Sequence, residues 1–335
     1  MRAGFLDLFL SSLDSLIKDP KTIELSVNAD GRVWTERAGS ARMELVERDP
    51  LKRDEVKDLA QQIANTGRLS LSDTMPMVST SVEYAGVTLR AQCIVPPAAA
   101  GGTIISFRLY RPRSAAEEPK KFRFLRPPQK SSEDVRREKL EAIRDMLKEG
   151  VDPDHVMKAC LEMHLNILVS GGTSTGKTEL VRRILWMMPN DQRLVLIEDA
   201  TELRPLQPNH VSLVASRRED SERSADKLLQ ATLRLRPDRI ILGEVRGGEA
   251  VTFLSAINSG HGGSFTSLHA DSARKAFDKL AFLVLGSGTQ LNFSEILQYL
   301  KGSIDVVIQT DREDAERGIV EVWFPALDAD PSMVA

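Results

Sequence analysis

The chain has 335 residues, of which 28% are charged and 41% hydrophobic, with a net charge of −3 at pH 7 and two cysteines. That length accommodates two domains with separate cores, and the balance is that of a soluble globular protein. The slight acidity speaks against a dedicated nucleic-acid binder, and the chain contains no apolar run long enough to span a bilayer and no tetracysteine zinc pattern. Cys93 and Cys160, far apart in apolar segments, read as buried free thiols suited to a reducing cytosol.

At the start, Phe5, Leu8, Leu13, Leu16 and Ile17 predict an amphipathic helix. Asp7 and Asp14 interrupt its apolar run, so it is not read as a signal peptide. Two destinations for it stand open: its own domain, or a membrane surface, against which the acids count. Glu24–Val27 and Arg32–Glu36, joined by Asn28-Ala29-Asp30-Gly31, read as a hairpin. Arg53–Asn65 has helical spacing in Val56, Leu59 and Ile63. Val78–Tyr84, Val87–Val95 and Thr103–Tyr110 follow as strands, which makes residues 1–110 a smaller N-terminal α/β domain.

Residues 111–132 change character. They carry Pro112, Pro119, Pro127 and Pro128, with five basic residues and no acid between Pro119 and Lys130. This is an exposed basic linker, either solvated or touching lipid headgroups. Ser131 and Asp134 then form a capping box for a helix with Leu140, Ile143 and Leu147 on its apolar stripe, ending at Gly150.

From there strands alternate with helices: strand 165–170, helix 177–188, strand 193–198, helix 222–235, strand 239–243, helix 248–258, strand 264–268 and helix 272–284. Residues 133–335 therefore read as an α/β domain with a mostly parallel sheet. Between its first strand and helix lies Gly171-Gly172-Thr173-Ser174-Thr175-Gly176-Lys177-Thr178, which fits G-x-x-x-x-G-K-[ST], the phosphate-binding loop of P-loop NTPases. Such a loop wraps backbone N–H groups round a phosphate at a helix N-terminus. Lys177 reaches the β- and γ-phosphates, and the Thr178 hydroxyl ligates Mg²⁺. The expected nucleotide is ATP.

Ligands of parallel sheets sit beyond the carboxyl ends of the strands. There the second strand runs into Glu198, Asp199 and Glu202, carboxylates placed to polarise an attacking water, or to hold a Mg²⁺-bound water, or simply as solvated charges. The third strand ends in Gly243-Glu244-Val245-Arg246, which suits a Walker B strand, with Glu244 contacting Mg²⁺ through water. His261 and His269 flank the fourth strand in no familiar metal spacing. Each is open to two readings, a packed or surface histidine, or a hydrogen-bond sensor of the nucleotide.

These segments together resemble the traffic ATPases of type IV secretion systems, the VirB-type hexameric members of the type II/IV secretion and pilus-motor superfamily. GGTSTGKT looks like their Walker A segment, IEDATEL (Ile197–Leu203) their Asp box, LRLRPDRIILGEVRGGEA (Leu233–Ala250) their Walker B region, and SGHGGSFTSLHADS (Ser259–Ser272) their His box. QPNHVSL (Gln207–Leu213) and IVEVWF (Ile319–Phe324) also fit. The resemblance implies a RecA-like C-terminal domain and a cytoplasmic homohexamer with nucleotide between each subunit's two domains. It also implies peripheral contact with the inner membrane and with inner-membrane components of a type IV secretion system. Among the residues it assigns Glu202 as general base, Glu244 at the Mg²⁺, His269 as sensor, and nucleotide contacts from Gly171 through Lys177 and Thr178 to Glu179. LRAQCIVPP and GTIISFRLYRP resemble the strands that bring two arginines, here Arg90 and Arg108, to the phosphates. Two departures stand out: Ser174 occupies a position where many relatives have glycine, and Glu179 one where threonine is common. A RecA- or helicase-type nucleic-acid motor and a nucleotide-gated scaffold with little turnover are the competing readings.

Overall fold

The computed structural model describes residues 5–112, 118, 121–127, 129–218 and 220–328. Residues 1–4, residues 113–117, 119, 120 and 128 of the expected linker, residue 219 and residues 329–335 lie outside the described residues. In chain order the first elements are α1 (Phe5–Leu10), α2 (Asp14–Lys18), β1 (Thr22–Val27), β2 (Val33–Arg37), β3 (Glu44–Leu45), α3 (Arg53–Thr66), β4 (Met77–Tyr84), β5 (Val87–Ile94) and β6 (Ile104–Tyr110). Then come α4 (Ser132–Lys148), α5 (Pro153–Glu162), β7 (Ile167–Gly171), α6 (Lys177–Trp186), β8 (Leu194–Glu198), β9 (His210–Val214), α7 (Ala225–Thr232) and β10 (Arg239–Leu242). The last are α8 (Glu249–Asn258), β11 (Phe265–His269), α9 (Ala273–Gly286), α10 (Phe293–Ser303), β12 (Val306–Glu313) and β13 (Glu316–Trp323). The chain divides into two compact units, Met1–Pro112 with Pro189–Gly243, and Arg113–Met188 with Glu244–Ala335.

In the first unit, β3-β2-β1-β6-β5-β4 form an antiparallel sheet. Period-2 alternation sends Leu25, Leu89, Ala91, Cys93 and Phe107 into a core shared with Leu59 and Ile63 of α3. Full burial of a side chain such as Phe107 contributes roughly 2–3 kcal/mol. The first helix docks on this core of its own unit. Leu6, Leu10, Leu13 and Ile17 supply the buried stripe. Leu8, expected on that stripe, is instead 68% exposed. The chain tightens into a 3₁₀ turn at Ser11–Leu13, which resets the helical phase between α1 and α2.

The same unit contains β10, β8 and β9, paired in parallel. QPNHVSL, whose family likeness said nothing of its conformation, supplies β9. Arg193, just before β8, is fully buried. Its Nη1 donates to Asn28 Oδ1 at 2.8 Å, its Nε to the Leu235 carbonyl at 2.8 Å, and its backbone N–H to Asp238 Oδ2 at 2.7 Å. Burial pulls its pKa down to about 10. Arg236 adds an ion pair to Glu36 at 2.6 Å. These bonds tie the residues after β1 and within β2 to the segment that carries β8.

In the second unit β11, β7 and β12 pair in parallel, and β13 turns back antiparallel on β12. Strand β7, between two partners and packed by α6 and α9, is buried along its whole length. Its near-continuous apolar sequence follows from that double cover. The expected Ser131/Asp134 capping box starts α4, the Asp134 N–H donating to Ser131 Oγ at 3.0 Å. Helix α7, expected over 222–235, is shorter, because Ser224 caps its start and Leu233 ends it. Helices α5 and α10 and the β12–β13 hairpin lie outside the sequence-based reading.

Candidate nucleotide site

The phosphate loop leaves β7 at Gly171 and enters α6 at Lys177. Gly171 is a glycine for close approach: a Cβ there would collide with the Thr175 and Thr310 hydroxyls. Those hydroxyls lie 2.9 Å apart, Thr175 also reaching the Gly172 carbonyl at 3.0 Å and Thr310 the Ser170 carbonyl at 3.1 Å. Gly176, the residue before α6, has φ +96°, which an L side chain rarely adopts. Ser174 also sits in the left-handed region, at φ +61°, so the replaced glycine is missing where the backbone calls for one.

Lys177 is buried, and its ammonium folds back onto the loop. It donates to the Gly171 carbonyl at 2.9 Å and the Gly172 carbonyl at 2.6 Å, and lies 3.0 Å from His269 Nδ1. Ammonium groups only donate, so Nδ1 is the acceptor and the imidazole carries its proton on Nε2. That Nε2 lies 3.3 Å from Glu244 Oε1. Burial foremost lowers the pKa of His269; Glu244 opposes this while Lys177, Lys279 and Arg246 add to it, which agrees with a neutral ring. Burial also lowers that of Lys177, with Glu244 opposing. The second Glu244 oxygen accepts from Arg246 Nε at 2.9 Å and Nη2 at 2.6 Å. Glu249 in turn holds the backbone N–H groups of Arg246 and Gly247 at 2.6 and 2.9 Å.

Strand register explains why the histidine is there. In the parallel pair β7–β11, His269 stands opposite Gly171, so the strand end delivers the ring to the loop. The ring takes a place in a row of polar groups running Lys177, His269, Glu244, Arg246. His261 precedes β11 at the strand's other end. Thr173, Ser174, Thr178 and Glu179 are exposed, and Glu179 pairs with Arg182 at 3.3 Å.

The donor set fits Mg²⁺. Thr178 and Glu244 offer oxygen only, and a hard cation that keeps several waters needs just one or two such protein ligands besides phosphate. Among the described residues no cluster of three or more His, Cys, Asp or Glu forms a protein-only metal cage.

Glu202, Arg90 and Arg108 belong to the first unit. Glu202 is exposed on the loop after β8. Sequence reasoning gave no separate role to Glu198, which is buried at the end of β8. Its Oε1 accepts from the backbone N–H groups of Glu202 at 3.0 Å and Leu203 at 2.9 Å, so it shapes the loop that carries Glu202. The available signal was an acid at the last position of an apolar strand. Arg90 and Arg108 are cross-strand partners on β5 and β6, both exposed. Glu24 continues the row beside Arg108, with Nε to Oε1 at 3.9 Å, and Glu36 follows it. Burial first, and then Glu36, push the Glu24 carboxyl up to about 7. The two thiols, Cys93 and Cys160, are buried and free as expected, and burial drives both up to about 12.

Comparison with known proteins points one way. Residues 135–312 match the family described as "Type II/IV secretion system protein". The chain is 34% identical over 339 aligned residues to the type IV secretion system protein VirB11 of Brucella suis, covering 96% of this chain and 91% of that one. Against the VirB11 protein of Agrobacterium tumefaciens identity is 30%, covering 96% and 94%. The crystal structure of the Brucella suis VirB11 ATPase with sulphate superposes with a TM-score of 0.84 at 32% identity, covering 97% of this chain and 96% of that one.

Proposed function

Because the chain belongs to the VirB11 family of type IV secretion ATPases, we propose that it hydrolyses ATP and spends the energy on substrate export or pilus assembly by a type IV secretion or conjugation machine. The observation that carries this reading is the row of polar contacts at the mouth of the phosphate loop, in which Lys177 bonds to His269 and the far side of the ring approaches Glu244 at 3.3 Å. It joins a phosphate-binding lysine to a metal-facing carboxylate through a neutral imidazole, the linkage a phosphate sensor needs.

The roles follow from chemistry. Backbone N–H groups of residues 171–178 hold phosphate at the head of α6, bordered by Glu179. Lys177 exchanges its loop carbonyls for β- and γ-phosphate oxygens. Mg²⁺, when bound, neutralises charge on those phosphates; Thr178 holds it directly and Glu244 through water. Glu202 takes a proton from the attacking water, on a loop anchored by Glu198. Arg90 and Arg108, side by side on β5 and β6, contact phosphate. His269 reports the γ-phosphate by trading its Lys177 bond.

The same reading includes a homohexamer at the cytoplasmic face of the inner membrane, touching inner-membrane secretion components. It also includes residues 111–132 as a hinge between an N-terminal domain (1–110) and an ATPase domain (133–335). No helix among the described residues is long and apolar enough to cross a membrane.

The test is steady-state ATP hydrolysis, with and without single-stranded DNA, by the wild type, Glu202→Gln and Lys177→Ala. Expected are basal turnover indifferent to DNA, loss of turnover but not of nucleotide binding in Glu202→Gln, and loss of both in a folded Lys177→Ala. Turnover that depends on DNA, or normal nucleotide affinity in Lys177→Ala, refutes the proposal.

A further inference from the structure

The hairpin of β12 and β13 is sorted by charge. Across the two strands Arg312 stands opposite Arg317, and Glu313 opposite Glu316. Like charges placed directly opposite are unfavourable, and these four residues would pair as Arg–Glu if the hairpin were built for its own stability. Side chains alternate between faces, so Thr310, Arg312 and Arg317 share one face, while Asp311, Glu313 and Glu316 share the other. The face with the arginines is the one that meets the phosphate loop, because Thr310 bonds to Thr175 Oγ1 and the Ser170 carbonyl.

Arg317 also touches the loop. Its Cβ and Cδ lie 3.5 and 3.7 Å from where a Cβ on Gly176 would be, so its aliphatic stem rests on the residue just before Lys177. The side chain is exposed, and among the described residues no carboxylate holds its guanidinium. The Nε of Arg312, by contrast, is engaged by the Asp314 carbonyl at 2.9 Å. A packed stem with an uncommitted guanidinium at the edge of an anion-binding loop is suited to gripping a phosphate ester. The acids that would repel such a ligand are turned to the other face.

We propose that Arg317 is a further nucleotide-binding residue, reaching from the β12–β13 hairpin to the phosphate tail of a nucleotide held in the Gly171–Thr178 loop. The inference rests on the nucleotide reading above and adds a cation from a strand that the loop motif does not contain.

Calorimetric titration of the full-length protein with Mg-ATP and Mg-ADP tests it on the wild type, Arg317→Ala, Arg317→Lys and Glu316→Gln. A lost charge-assisted contact weakens binding of both nucleotides roughly tenfold in Arg317→Ala, with part of the loss restored in Arg317→Lys. Glu316→Gln, on the opposite face, binds as the wild type does, and melting curves show all four folded. Unchanged affinity in Arg317→Ala overturns the inference while leaving the nucleotide site itself standing. So does an equal loss in Glu316→Gln, which assigns the effect to the hairpin's shape. Absence of nucleotide binding in the wild type overturns both this inference and the function on which it rests.

Discussion

Thr310 offers a sharp test of how the loop is held. Its hydroxyl lies 3.1 Å from the Ser170 carbonyl and 2.9 Å from Thr175 Oγ1, from a strand remote in sequence. Thr310→Val keeps the branched shape and removes both bonds. Each is worth about 1 kcal/mol net, and the replacing methyl sits a few tenths of an ångström too close to two oxygens. The sum is about 2 kcal/mol, felt at the point where the loop must hold its shape for phosphate. If all of it appears as reorganisation on binding, Mg-ATP affinity falls roughly thirtyfold, since 1.4 kcal/mol is tenfold. Thr310→Ser retains the hydroxyl and isolates its role from that of the methyl. Titration calorimetry of the three proteins reads the difference. Binding by Thr310→Val within twofold of wild type, or a loss in Thr310→Ser as large as in Thr310→Val, refutes the reasoning.

Three other outcomes are expected. Glu198→Gln keeps one acceptor oxygen but loses the charge on two backbone N–H bonds, so turnover falls at least about tenfold while KM for ATP stays near wild type; a KM effect alone assigns Glu198 to binding instead. For Glu24 the pH window runs from its ordinary value of 4.5 to about 7. Below it both folded and unfolded chains hold the proton; through it the unfolded chain ionises first and wild-type stability drops, by about 3 kcal/mol at most. Denaturant melts of Glu24→Gln should therefore gain on wild type between pH 5 and pH 8, and a constant gap contradicts the assignment. Ser174→Val puts a β-branched residue at φ +61°, costing about 1–2 kcal/mol more than serine, whereas Ser174→Gly stays within about 1 kcal/mol of wild type; equal melting temperatures for the two count against left-handed strain.

Much of the site is legible because its pieces are local. A glycine bend between an apolar strand and a helix specifies the phosphate loop by itself, since the N–H groups, the lysine and the dipole all lie within eight residues. Acids at the ends of apolar strands draw attention to Glu198 and Glu244 for a similar reason, as an apolar strand accommodates a charge best at its end, whereas Glu202, four residues beyond Glu198, was singled out by the family resemblance. The capping box at Ser131, the N-terminal hairpin and the buried cysteines are also written in short windows. The strands and helices missed, the two-residue β3, β9, α5, α10 and the last hairpin, lack a strong period or sit where the alternation of strand and helix stops.

What the sequence determined alone is therefore structure at short range: a glycine loop between strand and helix with the phosphate-loop pattern, its lysine and the carboxylates that terminate neighbouring strands. What only the tertiary structure decided is which distant groups meet that loop. The parallel register of β7 with β11 sets His269 opposite Gly171 and makes it the link from Lys177 to Glu244. The pairing of β7 with β12 brings Thr310 to the same glycine and sets the arginine face of the hairpin on the side of the phosphate loop. Strand pairing is specified by the sum of many weak side-chain contacts across the sheet, not by any one segment, so no local pattern carries it.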